Sequence, residues 1–360
     1  MARPTRRLPA ARAMIVAPQP EAVEAGADML CAGGNALDAV LACAFAQGVV
    51  DPLMCGIGGL GSMQIYDPRS GRHVVLDGLS TCPKACRPDM WAAIFERECT
   101  DGYGFVVKGA VNELGHTAVT TPGILRVFGL AHAEFGKLPW QGLFDAAIAL
   151  AGNGWAVRPH VYYMMMTNEA AVGRLPYVAK LNLTPDGRKL YLREDGAPKR
   201  VGEIVRNPEL AATLGGIARD GAESFYTGPI ARRIAAEMET HSGLLTLADL
   251  IGYMPRRHDP LTVKYRGREV AVPPPPAGGI VVAEMLRILE RFDLAALGHN
   301  SAEYIRIAAE AMKIAGRDKD EHIGDPDFAP PPLERLLSDA YADECAARIG
   351  RGEKTKLARV

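Results

Sequence analysis

The sequence predicts an α+β chain. Two helical stretches with apolar faces precede an antiparallel strand pair near residues 62–76, a second short hairpin lies near 263–272, and from Pro122 onward the pattern is otherwise mainly helical. Composition sets the frame for these elements. Of 360 residues, 41 are Lys or Arg and 42 are Asp or Glu, for a formal charge of -1, and 48% are hydrophobic but only 6% aromatic. Such a chain has ample material for a core. Its near-zero charge argues against polyelectrolyte binding to nucleic acid, which needs clustered cations to displace counterions. No apolar run reaches the roughly 18 residues of a transmembrane helix, so neither a membrane nor a nucleic acid is an expected partner.

The first stretch, residues 1–18, reads as a basic, solvated tail. Ala13–Ala17 is shorter than the apolar region of an export signal and runs into Pro18 and Pro20, so no export signal and a cytoplasmic location are expected. The seven cysteines (Cys31, Cys43, Cys55, Cys82, Cys86, Cys99 and Cys345) include no C-x-x-C and sit mostly among small apolar residues, and are read as reduced, buried thiols.

From Glu21 to Gly33, Val23, Ala27 and Leu30 fall at helical spacing before Gly33 and Gly34 stop the helix. Asn35 then caps a second helix, Ala36 to about Val50, which has few polar positions and so belongs between other layers. Gly56–Gly61 leads into Ser62–Asp67, where polar and apolar residues alternate, and turn residues at Asp67, Pro68, Ser70 and Gly71 join it to Arg72–Leu76. Beyond Pro122, helices are expected near 124–135, 139–153, 207–220, 228–242, 246–252, 280–292, 301–316 and 333–350. Thr246 with Asp249, and Asn300 with Glu303, have the spacing of N-terminal caps. Val263–Val272 reads as a hairpin turning at Arg266 and Gly267, with Pro273–Pro276 and Pro330–Pro332 as extended pieces. With no internal repeat and no linker composition, residues 1–360 are read as one unit.

Several motifs are candidates for chemistry. Gly56-Ile57-Gly58-Gly59-Leu60-Gly61 matches the letters of a dinucleotide fingerprint, but a helix precedes it and a strand follows, the reverse of what a phosphate cradle needs. The glycines are better explained by close passage of the backbone as it enters a sheet. Asp318, Asp320, His322, Asp325 and Asp327 crowd together, yet Ile323 and Ala329 stand where a calcium loop needs glycine and glutamate. Their charges are expected to pair locally as Arg317, Asp318 and Lys319 close a helix. The eight histidines lack H-E-x-x-H or zinc-finger spacing, so neither a metal nor any other cofactor is expected. Met164–Met166 reads as packing, and the Pro273–Gly279 loop as a tight chain crossing. Neither a G-x-S-x-G elbow nor an S-x-x-K pair is present, which leaves a hydrolase reading without a nucleophile in this chain.

The ordered succession of several stretches resembles the large subunit of the gamma-glutamyltranspeptidase family of N-terminal-nucleophile hydrolases. They are Gly33-Gly34-Asn35-Ala36-Leu37-Asp38-Ala39, Gly56-Ile57-Gly58-Gly59, Thr121-Pro122-Gly123, Phe135–Trp140, Phe225-Tyr226-Thr227-Gly228, Gly243–Leu250, Pro273–Gly279, Gly298–Tyr304 and Gly324–Phe328. The resemblance implies a four-layer αββα sandwich completed together with a small subunit. It also implies a precursor that cleaves itself before a threonine, which becomes the nucleophile of the small subunit, so no catalytic residue is expected here. Residues 351–360 are then read as a flexible end, with Val360 at or near the cleavage point. The implied partners are a small subunit from the same precursor and a small amide substrate, with a dimer of such pairs also allowed.

Within the family, the large subunit contributes an arginine after the first hairpin that grips the substrate α-carboxylate through a bidentate fork. Here that segment reads Leu76-Asp77-Gly78-Leu79-Ser80-Thr81-Cys82-Pro83, and Leu79 stands in the arginine's place. Losing such a contact costs about 1.5–3 kcal/mol. The resemblance therefore points to an acylase or amidohydrolase member, with Leu79 and Ser80 lining the acyl site and Arg72 or Arg87 as the residues able to replace the missing cation. The alternatives are a gamma-glutamyl hydrolase using one of those arginines and a noncatalytic scaffold of the same fold. The Thr100–Thr121 loop, with Tyr103, Phe105 and His116, either shapes the acyl pocket or packs against the small subunit.

Overall fold

The computed structural model describes residues 13–357, so most of the basic tail and the expected cleavage point at Val360 lie outside the described residues. The chain forms two compact units. The first joins residues up to Gly61 with Gly78–Pro255, and the second joins Ser62–Asp77 with residues from Arg256 onward. The chain passes between them at 61/62, 77/78 and 255/256, inside or beside strands, which is why no linker composition marks the crossings.

In the first unit, helix Pro20–Cys31 packs on helix Ala36–Val50, and the latter is buried on nearly all sides, as its lack of polar positions requires. Asn35 caps it: its side-chain oxygen accepts from the N–H groups of Leu37 (2.9 Å) and Asp38 (3.0 Å), while Asp38 Oδ2 accepts from Asn35 N (2.8 Å). Asp38 is fully buried. Its other oxygen accepts from the N–H groups of Lys137 (3.0 Å) and Leu138 (3.2 Å), and Asn35 Nδ2 donates to Phe135 O (2.6 Å). The Gly33–Ala39 and Phe135–Trp140 stretches are therefore two halves of one hydrogen-bonded joint. Below it, Phe45 stacks on Phe144 at 3.8 Å and meets Phe128 and Trp140 edge-on, each at 5.5 Å, the offset and T-shaped geometries that aromatic quadrupoles favour.

The remaining helices of this unit follow the expected pattern with local breaks. The 139–153 stretch divides into a 3-10 turn, Trp140–Phe144, and helix Asp145–Asn153. Pro208–Asp220, Pro229–Thr240 and Leu247–Gly252 appear close to their expected bounds, the last with the expected Thr246–Asp249 capping box. Phe95–Glu98 pairs with Phe105–Val107, and Trp155–Ala156 with Ile204–Val205. These strands are too short for alternation to show in the sequence.

The sheet strands Gly61–Asp67, Arg72–Gly78 and Arg256–His258 lie in that spatial order. The last two pair antiparallel with Val75 opposite His258 and Asp77 opposite Arg256. In the second unit the hairpin Leu261–Tyr265/Arg268–Val272 turns at Arg266 and Gly267 with φ of 49° and 72°, the mirror-image turn whose twist suits a two-residue hairpin. Helices Gly279–Leu289, Ala302–His322 and Asp339–Gly350 enclose a core of Ile288, Ile307, Ile314, Leu336, Cys345 and Ile349. Two helix ends differ from expectation. Ser301, not Asn300, caps the 302–322 helix, because Asn300 takes a left-handed turn (φ 57°) and the Ser301 hydroxyl accepts from Tyr304 N at 3.1 Å. Ser338 caps a fresh helix in the same way (Tyr341 N, 3.1 Å), which breaks the 333–350 stretch. Thr355 is buried near the described end, its N–H donating to Glu310 Oε2 at 2.7 Å.

A carboxyl pair lies between these helices. Burial, together with a hydrogen bond and the charge of Asp318, pushes Glu284 up to about 9. Burial alone would raise Asp318 too, but hydrogen bonds from Tyr341, Glu284 and Arg317 outweigh it and hold that carboxyl below its usual range. The pair thus holds one proton and one charge. Because Glu284 is raised in the folded state, its contribution is fully present below its unfolded value of 4.5 and is lost as pH climbs towards about 9. Urea unfolding followed by far-UV circular dichroism should show stability falling from about pH 5 to about pH 9. Glu284→Gln, which keeps the donor to Asp318, should flatten that slope.

All seven cysteines are free thiols, but only Cys43, Cys99 and Cys345 are buried. Cys31 ends a helix, and Cys55 and Cys82 lie on connecting segments, so the expectation of general burial fails there.

Candidate functional site

The segment that follows strand Arg72–Gly78 is held on a fixed frame within the first unit. Gly78 and Gly123 press backbone on backbone: a Cβ on Gly123 would lie 2.3 Å from Gly78 O and 2.2 Å from the Tyr253 hydroxyl, so nothing larger than glycine fits. Tyr253, itself buried, donates its hydroxyl to Leu79 O at 2.8 Å. Beyond Leu79, Thr121 N donates to Thr81 O (2.9 Å) and Lys84 N to Asp249 Oδ1 (3.1 Å), the carboxylate that also completes the Thr246 cap. Gly59 O accepts from Gly123 N (3.1 Å) and Ile124 N (3.2 Å), so the glycine run does let the chain pass close to a neighbour, as expected.

Behind Tyr253 stands Arg126. Its side chain is 7% exposed, its Nε and Nη2 form a two-pronged pair with Glu223 (2.9 and 2.7 Å), and its Nη1 donates to Tyr253 O. The guanidinium lies 4.1 Å from the centre of the Tyr226 ring, and Tyr226 OH accepts from Arg126 N at 3.2 Å. Burial pushes the Tyr226 phenol well up, which keeps it neutral. Arg126 is thus committed to Glu223 and to backbone carbonyls, and acts on Leu79 only by fixing Tyr253. Tyr253→Phe should cost about 1 kcal/mol, and hydrogen exchange across residues 79–84 should speed up while helix Pro229–Thr240 is unchanged.

Leu79 and Ser80 themselves are half-buried at the end of this frame. Arg87 is on the same stretch but strongly exposed, with Asp89 3.7 Å away, an arrangement worth little in water. Arg72 is exposed at the opposite end of the strand, roughly 20 Å of extended chain from Leu79. Leu79 and Ser80 thus sit together as neighbours on the held segment. Burial pushes the Cys86 thiol up, with the Cys82 sulfur adding to the shift, so it is not activated as a nucleophile. The chemistry this segment offers is recognition through an apolar side chain on a rigid backbone.

Sequence reasoning found Leu79 but missed Tyr253 and Arg126. Thr121-Pro122-Gly123, Phe225–Gly228 and Gly243–Leu250 were legible as stretches, and the structure shows that they share this frame. The Thr100–Thr121 loop is pinned at both ends of its excursion: Arg174 pairs with Asp101 (2.7 Å) and Lys180 with Glu113 (2.6 Å). Tyr103 and Phe105 are exposed on it. The acidic cluster is paired locally, as expected: Asp318 with Arg317 (3.0 Å) and Lys319 with Asp320 (2.9 Å).

The family model for gamma-glutamyltranspeptidase matches residues 22–359. The chain belongs to the gamma-glutamyltranspeptidase family. An acylase ACY 1 proenzyme of Pseudomonas sp. (strain V22) is 38% identical over 341 residues, covering 94% of this chain and 58% of the relative. The chain thus spans little more than half the length of that proenzyme. Among solved structures, Helicobacter pylori gamma-glutamyltranspeptidase superposes with a TM-score of 0.81 at 30% identity, covering 93% of this chain and 90% of that one. A cephalosporin acylase from Bacillus halodurans gives 0.78 at 30% identity, covering 96% and 63%. The fold is the α+β fold of N-terminal-nucleophile hydrolases that the resemblance implied.

Proposed function

We propose that this chain is the large subunit of a self-processed amidohydrolase or acyltransferase that cleaves a small acyl-amide. The nucleophile is an N-terminal threonine on a small subunit cut from the same precursor, and the pair works in the cytoplasm. Attack by that hydroxyl on the amide carbonyl gives an acyl-enzyme, which water or an acceptor amine then releases. This chain's part is to shape the acyl pocket. The observation that carries the reading is Leu79, an apolar side chain on a backbone fixed by Tyr253, where the family resemblance calls for a carboxylate-gripping arginine. An apolar surface there imposes a desolvation cost on an α-carboxylate and none on a neutral acyl chain. The similarity to an acylase proenzyme and to a cephalosporin acylase supports the same direction.

The test is to produce the precursor, establish by mass spectrometry that it separates into two fragments with threonine leading the second, and assay it on butanoyl-anilide, which has no carboxylate, and on gamma-glutamyl-anilide. Faster turnover of the butanoyl substrate supports the reading. Dominant gamma-glutamyl turnover abolished by Arg72→Ala or Arg87→Ala would favour the replaced-arginine alternative, and an intact, inert chain would favour the scaffold.

A further inference from the structure

Away from the Leu79 frame, three side chains with metal-ligating atoms converge at the end of helix Pro229–Thr240. Glu237 and His241 are four residues apart and so share one face. His116 comes from the Thr100–Thr121 loop, 121 positions away in sequence from Glu237. His116 Nε2 lies 3.2 Å and His241 Nε2 3.3 Å from the same oxygen, Glu237 Oε1, the two imidazole rings stack at 4.5 Å, and all three ligand atoms fall within 4.8 Å of one another.

The loop is built to deliver His116 there. Ser242 turns with φ 56°, Gly243 N donates to Met238 O at 2.7 Å, and Leu244 N reaches His116 O at 3.4 Å. A Cβ on Gly243 would lie 2.5 Å from Met238 Sδ and 3.0 Å from His116 Cβ, so the approach depends on glycine. The separations fit two ways of joining the groups. A hydrogen bond reaches about 3.2 Å, and the His116–Glu237 contact is one at the long end of that range. A tetrahedral ion with bonds of about 2.0–2.1 Å sets its ligand atoms about 3.3–3.4 Å apart, which both distances approach. Two imidazoles and a carboxylate are also the donor set that suits zinc, leaving a fourth position for water.

We infer that His116, Glu237 and His241 form a binding site for a divalent transition-metal ion of the zinc type, which clips the 100–121 loop to helix Pro229–Thr240. The second group of potential ligands, Asp318, Glu321 and His322, is different: its Asp318 is already engaged by Arg317 and Tyr341. Little in the sequence marks the first site, because an E-x-x-x-H pair and one distant histidine form no recognisable motif.

The test uses the full protein, stripped with a chelator and titrated with Zn²⁺ by calorimetry and with Co²⁺ by visible absorption. The expected result is one ion per chain, with the intense d–d bands of tetrahedral Co²⁺. His116→Ala, Glu237→Gln and His241→Ala should each weaken binding at least about 100-fold, more than loss of an outer-shell partner does, with circular dichroism unchanged. His322→Ala should bind normally. A wild-type protein that takes up no ion, or binding that survives both His116→Ala and His241→Ala, would overturn the inference.

Discussion

Leu79→Arg is expected to raise kcat/KM on gamma-glutamyl substrates about 10- to 100-fold, the equivalent of the 1.5–3 kcal/mol that a charge-assisted carboxylate contact supplies. The gain should appear mainly as a lower KM, because the contact exists in ground state and transition state alike. The substitution is accommodated by the frame's design: Tyr253 holds Leu79 by its carbonyl, and the Thr81–Thr121 and Lys84–Asp249 bonds are likewise made by backbone groups of the segment. The side chain is replaced while the path of the chain is kept. Steady-state kinetics of the two-fragment protein on gamma-glutamyl-anilide measure the effect. An equal rise on a substrate lacking the α-carboxylate would show that the arginine acts in some other way.

Asp38→Ala is expected to destabilise the first unit by about 3 kcal/mol or more, because three backbone N–H groups lose their acceptor at a buried position and each orphan costs about 1–3 kcal/mol. Asn35, Lys137 and Leu138 supply those donors. All three tryptophans, Trp91, Trp140 and Trp155, belong to this unit, so fluorescence-detected urea unfolding reads it directly. Asp38→Asn should recover only part of the loss, since an amide presents one acceptor oxygen and sets an N–H against N–H donors.

The sequence made local chemistry legible and long-range convergence obscure. Asn35 with Asp38, Thr246 with Asp249, and Arg266 with Gly267 are pairs three residues apart or adjacent, and each caps or turns the chain as its residue types dictate. Asn300 misled because its neighbour Ser301 carries an equally good capping oxygen and the left-handed turn at Asn300 hands the role over. Leu79 was found only because a family resemblance gave it an expected identity. Tyr253 carries no local signal at all: its role depends on Gly123 leaving room for its ring, which three-dimensional packing decides. His116 was visible as a loop residue, but its partners lie beyond any spacing rule.

The most direct measurement on the central claim is the ratio of kcat/KM for gamma-glutamyl-anilide to that for 4-aminobutanoyl-anilide, which differs only in lacking the α-carboxylate. With an apolar Leu79 on a fixed backbone, the carboxylate brings no advantage and the ratio should lie at or below about one. A ratio of about ten or more would mean that a cation grips the carboxylate after all.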